Sequence, residues 1–204
     1  EATHRLCNIM LQDSAHIQEQ EAEWQNRKAE RSGYQQYVPV YTVADALESL
    51  KLFEGHGYNK PIEIFEGVTI NFCDAGHLLG SSSIHITVNE NGEERTVLFS
   101  GDLGNIDRPL IRNPQNPPYA DYVVIESTYG DRVHGERPDY IAQLTKIMQE
   151  TFSKGGNLVI PSFAIGRTQE LLYLFRTIKE QGLVKGHENF IVYVDSPLAV
   201  EATK

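Results

Sequence analysis

Long apolar runs are missing from this chain. No stretch approaches the roughly 18–20 apolar residues that a membrane span requires. No secretory signal is visible, so the expectation is a cytoplasmic protein without a membrane partner. Cysteine is scarce: Cys7 and Cys73 are the two in 204 residues. One lies in a helical pattern and one in a strand-like run, so they form no disulfide framework and read as buried thiols of a reducing compartment. Basic residues are outnumbered, 18 Lys and Arg against 28 Asp and Glu, for a formal net charge of −10. That balance excludes a protein that coats nucleic acid through a general basic surface. It leaves room for an enzyme that takes a polyanion into a local, metal-lined cleft. Internal repeats, low-complexity tracts and the zinc motifs H-x-H and H-E-x-x-H are absent too.

What the chain does contain is a legible order of elements. Leu6, Ile9, Met10, Ile17 and Trp24 recur at helical spacing, which predicts a helix from about Thr3 to Glu30. Acids and bases interleave over residues 19–30 as on a solvated helix face. Thr42 with Asp45 three residues on is a capping-box start for a helix over Val43–Phe53. Pro61 opens a β region of IEIFEG, VTINFC and SIHITV, and Asn89-Glu90-Asn91-Gly92 marks a hairpin into RTVLFS. A proline-rich loop leads to YVVIES. Beyond Gly130 the grammar changes to strand–helix–strand alternation: a helix over Asp139–Phe152, strand NLVIP, a helix near Thr168–Gln181 and strand FIVYV. That alternation predicts parallel pairing in a Rossmann-like sheet and a domain boundary at residue 130. The fold class is α/β.

Three short β runs end in side chains that can bind a metal or move a proton: His77, Asp102 and Glu126. Each sits where a strand gives way to a glycine-containing loop, and the spacings of 25 and 24 residues suit strand–return–strand units. His77 alone reads as a structural histidine sooner than as a ligand, and Asp102 alone as a turn former. Together they supply an imidazole and a carboxylate, two ligand types of Zn²⁺, yet a catalytic zinc takes about three protein ligands. Composition and spacing therefore lead to a partial metal site.

The segments DAGHLLGSSS, FSGDLGN, ESTYGDR and PSFAIGRTQELL, in this order, resemble the metallo-β-lactamase-fold nucleases of the β-CASP group. The likeness runs to the RNA-processing branch, which holds the pre-mRNA 3′-end cleavage endonuclease and its bacterial relatives. The first two segments are widespread in the superfamily, and the last two are specific to the β-CASP nucleases. The resemblance implies part of an αββα sandwich over residues 1–130, followed by the first part of a Rossmann-like β-CASP domain over 131–204. It implies two zinc ions in the parent enzyme, with His77 a ligand of one and Asp102 the carboxylate bridging both. Glu126 becomes the acid that opens the β-CASP insertion and orients a histidine that protonates the leaving group. The family's H-x-H-x-D-H signature would precede Glu1 and its later histidines would follow Lys204. The expectation is an internal slice, inactive by itself, of a zinc-dependent ribonuclease acting on single-stranded RNA, with a homodimer admitted as its assembly.

Other readings stand beside this one: a hydrolase of the same superfold acting on a small ester or thioester, a DNA-directed β-CASP nuclease, or a non-catalytic scaffold homologue. Ser162 and Arg167 flank a strand-to-helix turn, where free N–H groups favour anions and Arg could grip a phosphate; the alternative is an inter-domain salt bridge. Asp13 and His16 read as helix-surface polarity. His134 either lines the cleft or makes a loop-stabilising hydrogen bond. Asp195-Ser196-Pro197 reads as a turn.

Overall fold

A computed structural model of the chain describes residues 1–29, 36–133, 135 and 138–204. Its centre is a five-stranded mixed sheet in simple sequence order: β1 (Ile62–Phe65), β2 (Val68–Asp74), β3 (Ser82–Glu90), β4 (Glu93–Phe99) and β5 (Tyr122–Val124). The first four strands pair antiparallel and β5 lies parallel to β4. The β3–β4 turn is a two-residue hairpin at Asn91 and Gly92, with φ of 54° and 79°. Both residues are left-handed there, which matches the right-handed twist of the flanking strands.

Helix α1 (Ala2–Ala29) packs on α2 (Val43–Leu50) and on α5 (Pro197–Thr203). The large apolar residues spaced along α1 do not form its buried face. Met10, Ile17 and Trp24 are exposed, while Ala15 and Ala22 are buried. Small side chains let a neighbouring backbone approach, so the packing stripe is the alanine side. Helix α2 starts on the expected box: the Asp45 N–H donates to Thr42 Oγ1 at 3.2 Å and the Thr42 N–H donates to the Asp45 carboxylate at 2.9 Å. It ends at Leu50, before Phe53.

Past residue 138, α3 (Tyr140–Ser153) and α4 (Arg167–Glu180) gather their own apolar cluster. Met148, Ile178 and Val184 are its buried centre, with Phe152, Leu158, Phe175 and Phe190 packed around them. The expected strands NLVIP and FIVYV are not strands. Leu158 and Phe190 turn inward and Val159 and Ile191 outward, so the two-residue alternation is present. Among the described residues neither segment makes ladder hydrogen bonds, and without a paired neighbour an extended segment is not part of a sheet. Asp195-Ser196-Pro197 is a helix start rather than a free turn. Ser196 Oγ accepts the Ala199 N–H and Pro197 occupies the first position of α5, where its missing N–H costs nothing.

What positions the loops of interest is a backbone clasp. The Gly104 N–H donates to the Ala75 carbonyl at 2.8 Å. A Cβ on Gly104 would lie 1.6 Å from the Gly76 carbonyl oxygen, so only hydrogen fits between the loop after β4 and the loop after β2. Gly104→Ala in the intact protein is expected to destabilise by about 3 kcal/mol or more, because the opposing atoms are backbone and cannot rotate away. Gly135→Ala, where nothing among the described residues stands within 4 Å, should be near neutral. Denaturant midpoints of the two variants check this.

The capping box supplies a second test. Thr42→Ala should weaken the start of α2 by about 1 kcal/mol, seen as faster amide exchange from Asp45. The hydrogen bonds from Thr42 hold the Asp45 carboxyl below its ordinary value. Its contribution is therefore present above the unfolded carboxylate pKa and is lost as pH falls through the lower folded one. Exchange protection at Thr42 measured against pH reads this directly.

Candidate metal and hydrolytic site

Register places the chemistry-bearing loops at one end of the sheet. Asp74 at the end of β2 pairs with Ser82 at the start of β3, Ile84 pairs with Phe99 near the end of β4, and Phe99 pairs with Val124 at the end of β5. His77, Asp102 and Glu126 each follow one of these strand ends by two to three residues.

Each loop is held by its own small polar groups. In the first, the Gly76 N–H donates to the buried Asp74 carboxylate at 2.9 Å, and Ser81 Oγ accepts the His77 and Leu78 N–H groups at 3.0 and 3.1 Å. These bonds tie down the N–H groups of Gly76, His77 and Leu78, which fixes the Cα from which the His77 imidazole projects. In the second, the ends of β4 and β5 are sewn together. The Ser100 N–H donates to the Val124 carbonyl at 2.9 Å, and Ser100 Oγ accepts the Glu126 N–H at 3.1 Å. The Glu126 carboxylate then accepts the Leu103 N–H at 2.6 Å, one residue past Asp102. That bond and the Thr128 hydroxyl hold the Glu126 carboxyl below its ordinary range, so it is a carboxylate at neutral pH.

His77 and Asp102 differ from Glu126 in what they leave open. Neither the His77 imidazole nor the Asp102 carboxylate has a hydrogen-bond partner among the described residues. His77 is half-buried and Asp102 exposed. Their donor chemistry, one nitrogen and one carboxylate, fits zinc. Among the described residues no group of three or more His, Cys, Asp or Glu side chains gathers to hold a metal. The chain thus offers part of a metal shell. His85, by contrast, is a structural histidine: it is buried in β3 and its Nε2 lies 3.0 Å from the Tyr119 carbonyl.

Ser162 and Arg167 flank the start of α4 as expected. The Ser162 hydroxyl is engaged with Thr168 Oγ1 at 2.8 Å. Arg167 pairs at 3.0 Å with Glu170 of its own helix, while its side chain remains 59% exposed. Two residues went unnoticed in the sequence, Arg108 and Glu170. Glu170 is buried and bonded by Arg108, whose Nη1 donates to the His77 carbonyl at 3.0 Å. An acid three residues after an Arg reads as a surface helix pair, so its burial left no local signal. His134 lies outside the described residues.

No protein-family model matches the chain. It is 38% identical to ribonuclease TTHA0252 of Thermus thermophilus over 97% of its own length and 39% of that protein's. It is 30% identical to an RNase J-like protein of Methanocaldococcus jannaschii over 78% of its length and 37% of the relative's. A Drosophila melanogaster protein named cleavage and polyadenylation specificity factor 73 is 32% identical over 66% of the chain and 19% of the relative. The chain thus spans about two fifths or less of each of these relatives. The strand-end histidine and acids on their clasped loops, followed by the motif segment that starts α4, go with this likeness: the chain belongs to the β-CASP group of metallo-β-lactamase-fold nucleases.

Proposed function

We propose that the protein carrying this chain is a zinc-dependent ribonuclease that hydrolyses phosphodiester bonds in single-stranded RNA. One observation carries the reading: loops bearing His77, Asp102 and Glu126 meet at one sheet end in a chain 38% identical, over nearly its whole length, to a ribonuclease. In this proposal residues 1–130 belong to the metallo-β-lactamase fold and residues 131–204 begin the β-CASP domain. The ligands beyond His77 and Asp102 come from parts of the protein outside this chain. The two free thiols speak for a reducing, cytoplasmic setting, and no helix of the described residues is long and apolar enough to cross a membrane. Homodimer assembly remains part of the proposal.

The residue roles follow from the site. His77 through an imidazole nitrogen and Asp102 through its carboxylate would hold zinc there. Bound there, the ions supply a water with a pKa near 7 and positive charge beside the phosphate (about 7 being the value reached on catalytic zinc). Glu126, kept ionised by the Leu103 N–H, orients an imidazole acid toward the leaving oxygen. Arg167, half free of Glu170, and Ser162 hold a phosphate along the start of α4. The acidic surface confines RNA binding to this local cleft, because net charge −10 gives no general attraction for a polyanion.

An RNA cleavage assay on the intact protein tests this. Chelation should stop cleavage and added zinc restore it. Asp102→Ala should cut the rate by more than the roughly 100-fold that follows loss of an outer-shell partner. Its melting temperature should barely move, since Asp102 is exposed. Cleavage that survives chelation or Asp102→Ala contradicts the proposal.

A further inference from the structure

The start of α4 reaches back to the His77 loop by two independent contacts. The first is apolar. Gly166 precedes α4 at φ 84°, and a Cβ there would lie 2.5 Å from Leu78 Cδ2, so the helix start is pressed against the residue that follows His77. The second is a chain of charge. Glu170 Oε1 accepts from Nε of Arg108 at 3.0 Å and also from its Nη2. Glu170 Oε2 lies 3.0 Å from Arg167 Nη1. The third nitrogen of Arg108 donates to the His77 carbonyl at 3.0 Å. All three guanidinium nitrogens of Arg108 are therefore committed, two to α4 and one to the backbone of His77.

Glu170 is 6% exposed. A carboxylate so removed from water is tolerated where its oxygens are paired, and removing a partner leaves an uncompensated charge. The guanidinium is planar and rigid, so fixing one edge on Glu170 fixes the direction of the other edge. We infer that Glu170, acting through Arg108, is a positioning residue for the His77 loop, so that the start of α4 sets where the His77 imidazole stands. Its meaning for metal binding rests on the nuclease reading above; its meaning for the loop does not.

The experiment uses the intact protein with three variants: Glu170→Gln, Arg108→Lys and, as control, Glu180→Gln on the same helix, where Glu180 pairs with exposed Arg176. Amide exchange of residues 76–81 and zinc affinity by chelator competition are the readouts, with RNA cleavage at low and high zinc. Glu170→Gln keeps the shape and removes the charge. Arg108→Lys keeps the charge and loses the planar fork, which guards against misfolding of the first variant. Both should speed exchange in 76–81 and weaken zinc binding about 10–100-fold, with cleavage recovering at high zinc. Glu180→Gln should do neither. A lowered melting temperature with unchanged exchange and zinc affinity would make the triad a plain strut and overturn the inference. If the wild type neither binds zinc nor cleaves RNA, the nuclease reading falls and exchange in 76–81 alone decides the positioning role.

Discussion

The Gly104 N–H bond to the Ala75 carbonyl, made across a gap that admits no Cβ, is the constraint on which the site depends. Two loops that leave different strands are brought to backbone contact, and each carries one open donor, His77 on one side and Asp102 on the other. The contact is made by main-chain atoms, which have no rotamers to lose. The relative placement of the two loops is therefore set by the backbone, which is what the proposed metal chemistry would require. The Leu103 N–H ties Glu126 to the same clasp, so a third loop inherits its position from the first two.

Around this clasp the protein spends its polar groups inward. Asp74, Ser83 and Ser100 are buried and Ser81 half-buried; each is bonded to loop or strand backbone, which makes that burial tolerable. The Arg108–Glu170 pair extends that network across 62 residues of sequence. For the proposed action on RNA the net negative charge makes a consistent electrostatic plan. A general acidic surface offers a polyanion no attraction, and the proposal concentrates that attraction where Arg167 and the proposed metals lie. Specific placement replaces bulk charge.

The strand ends were legible because two-residue alternation stops at glycine-containing loops, and His77, Asp102 and Glu126 sit just past those stops. The Thr42–Asp45 box and the Asn91-Gly92 turn were legible for the same local reason. Apolar spacing marked α1 as a helix without giving its buried face, since packing chose Ala15 and Ala22. NLVIP and FIVYV carry a strand pattern that only a partner backbone can convert into a strand. The roles expected of His77, Asp102 and Glu126 came from family likeness, with no periodic signal behind them, and those of Ser162 and Arg167 from a strand-to-helix turn that favours anions. Arg108 and Glu170 had neither, because a buried ion pair between distant segments leaves no mark in either segment alone.

The clasped loops are proposed to present one metal centre. Anomalous diffraction at the zinc edge from crystals of the intact protein locates it. A zinc peak is expected about 2.0–2.2 Å from a ring nitrogen of His77 and a carboxylate oxygen of Asp102. A zinc bound elsewhere, with the His77 ring turned away from Asp102, would contradict it.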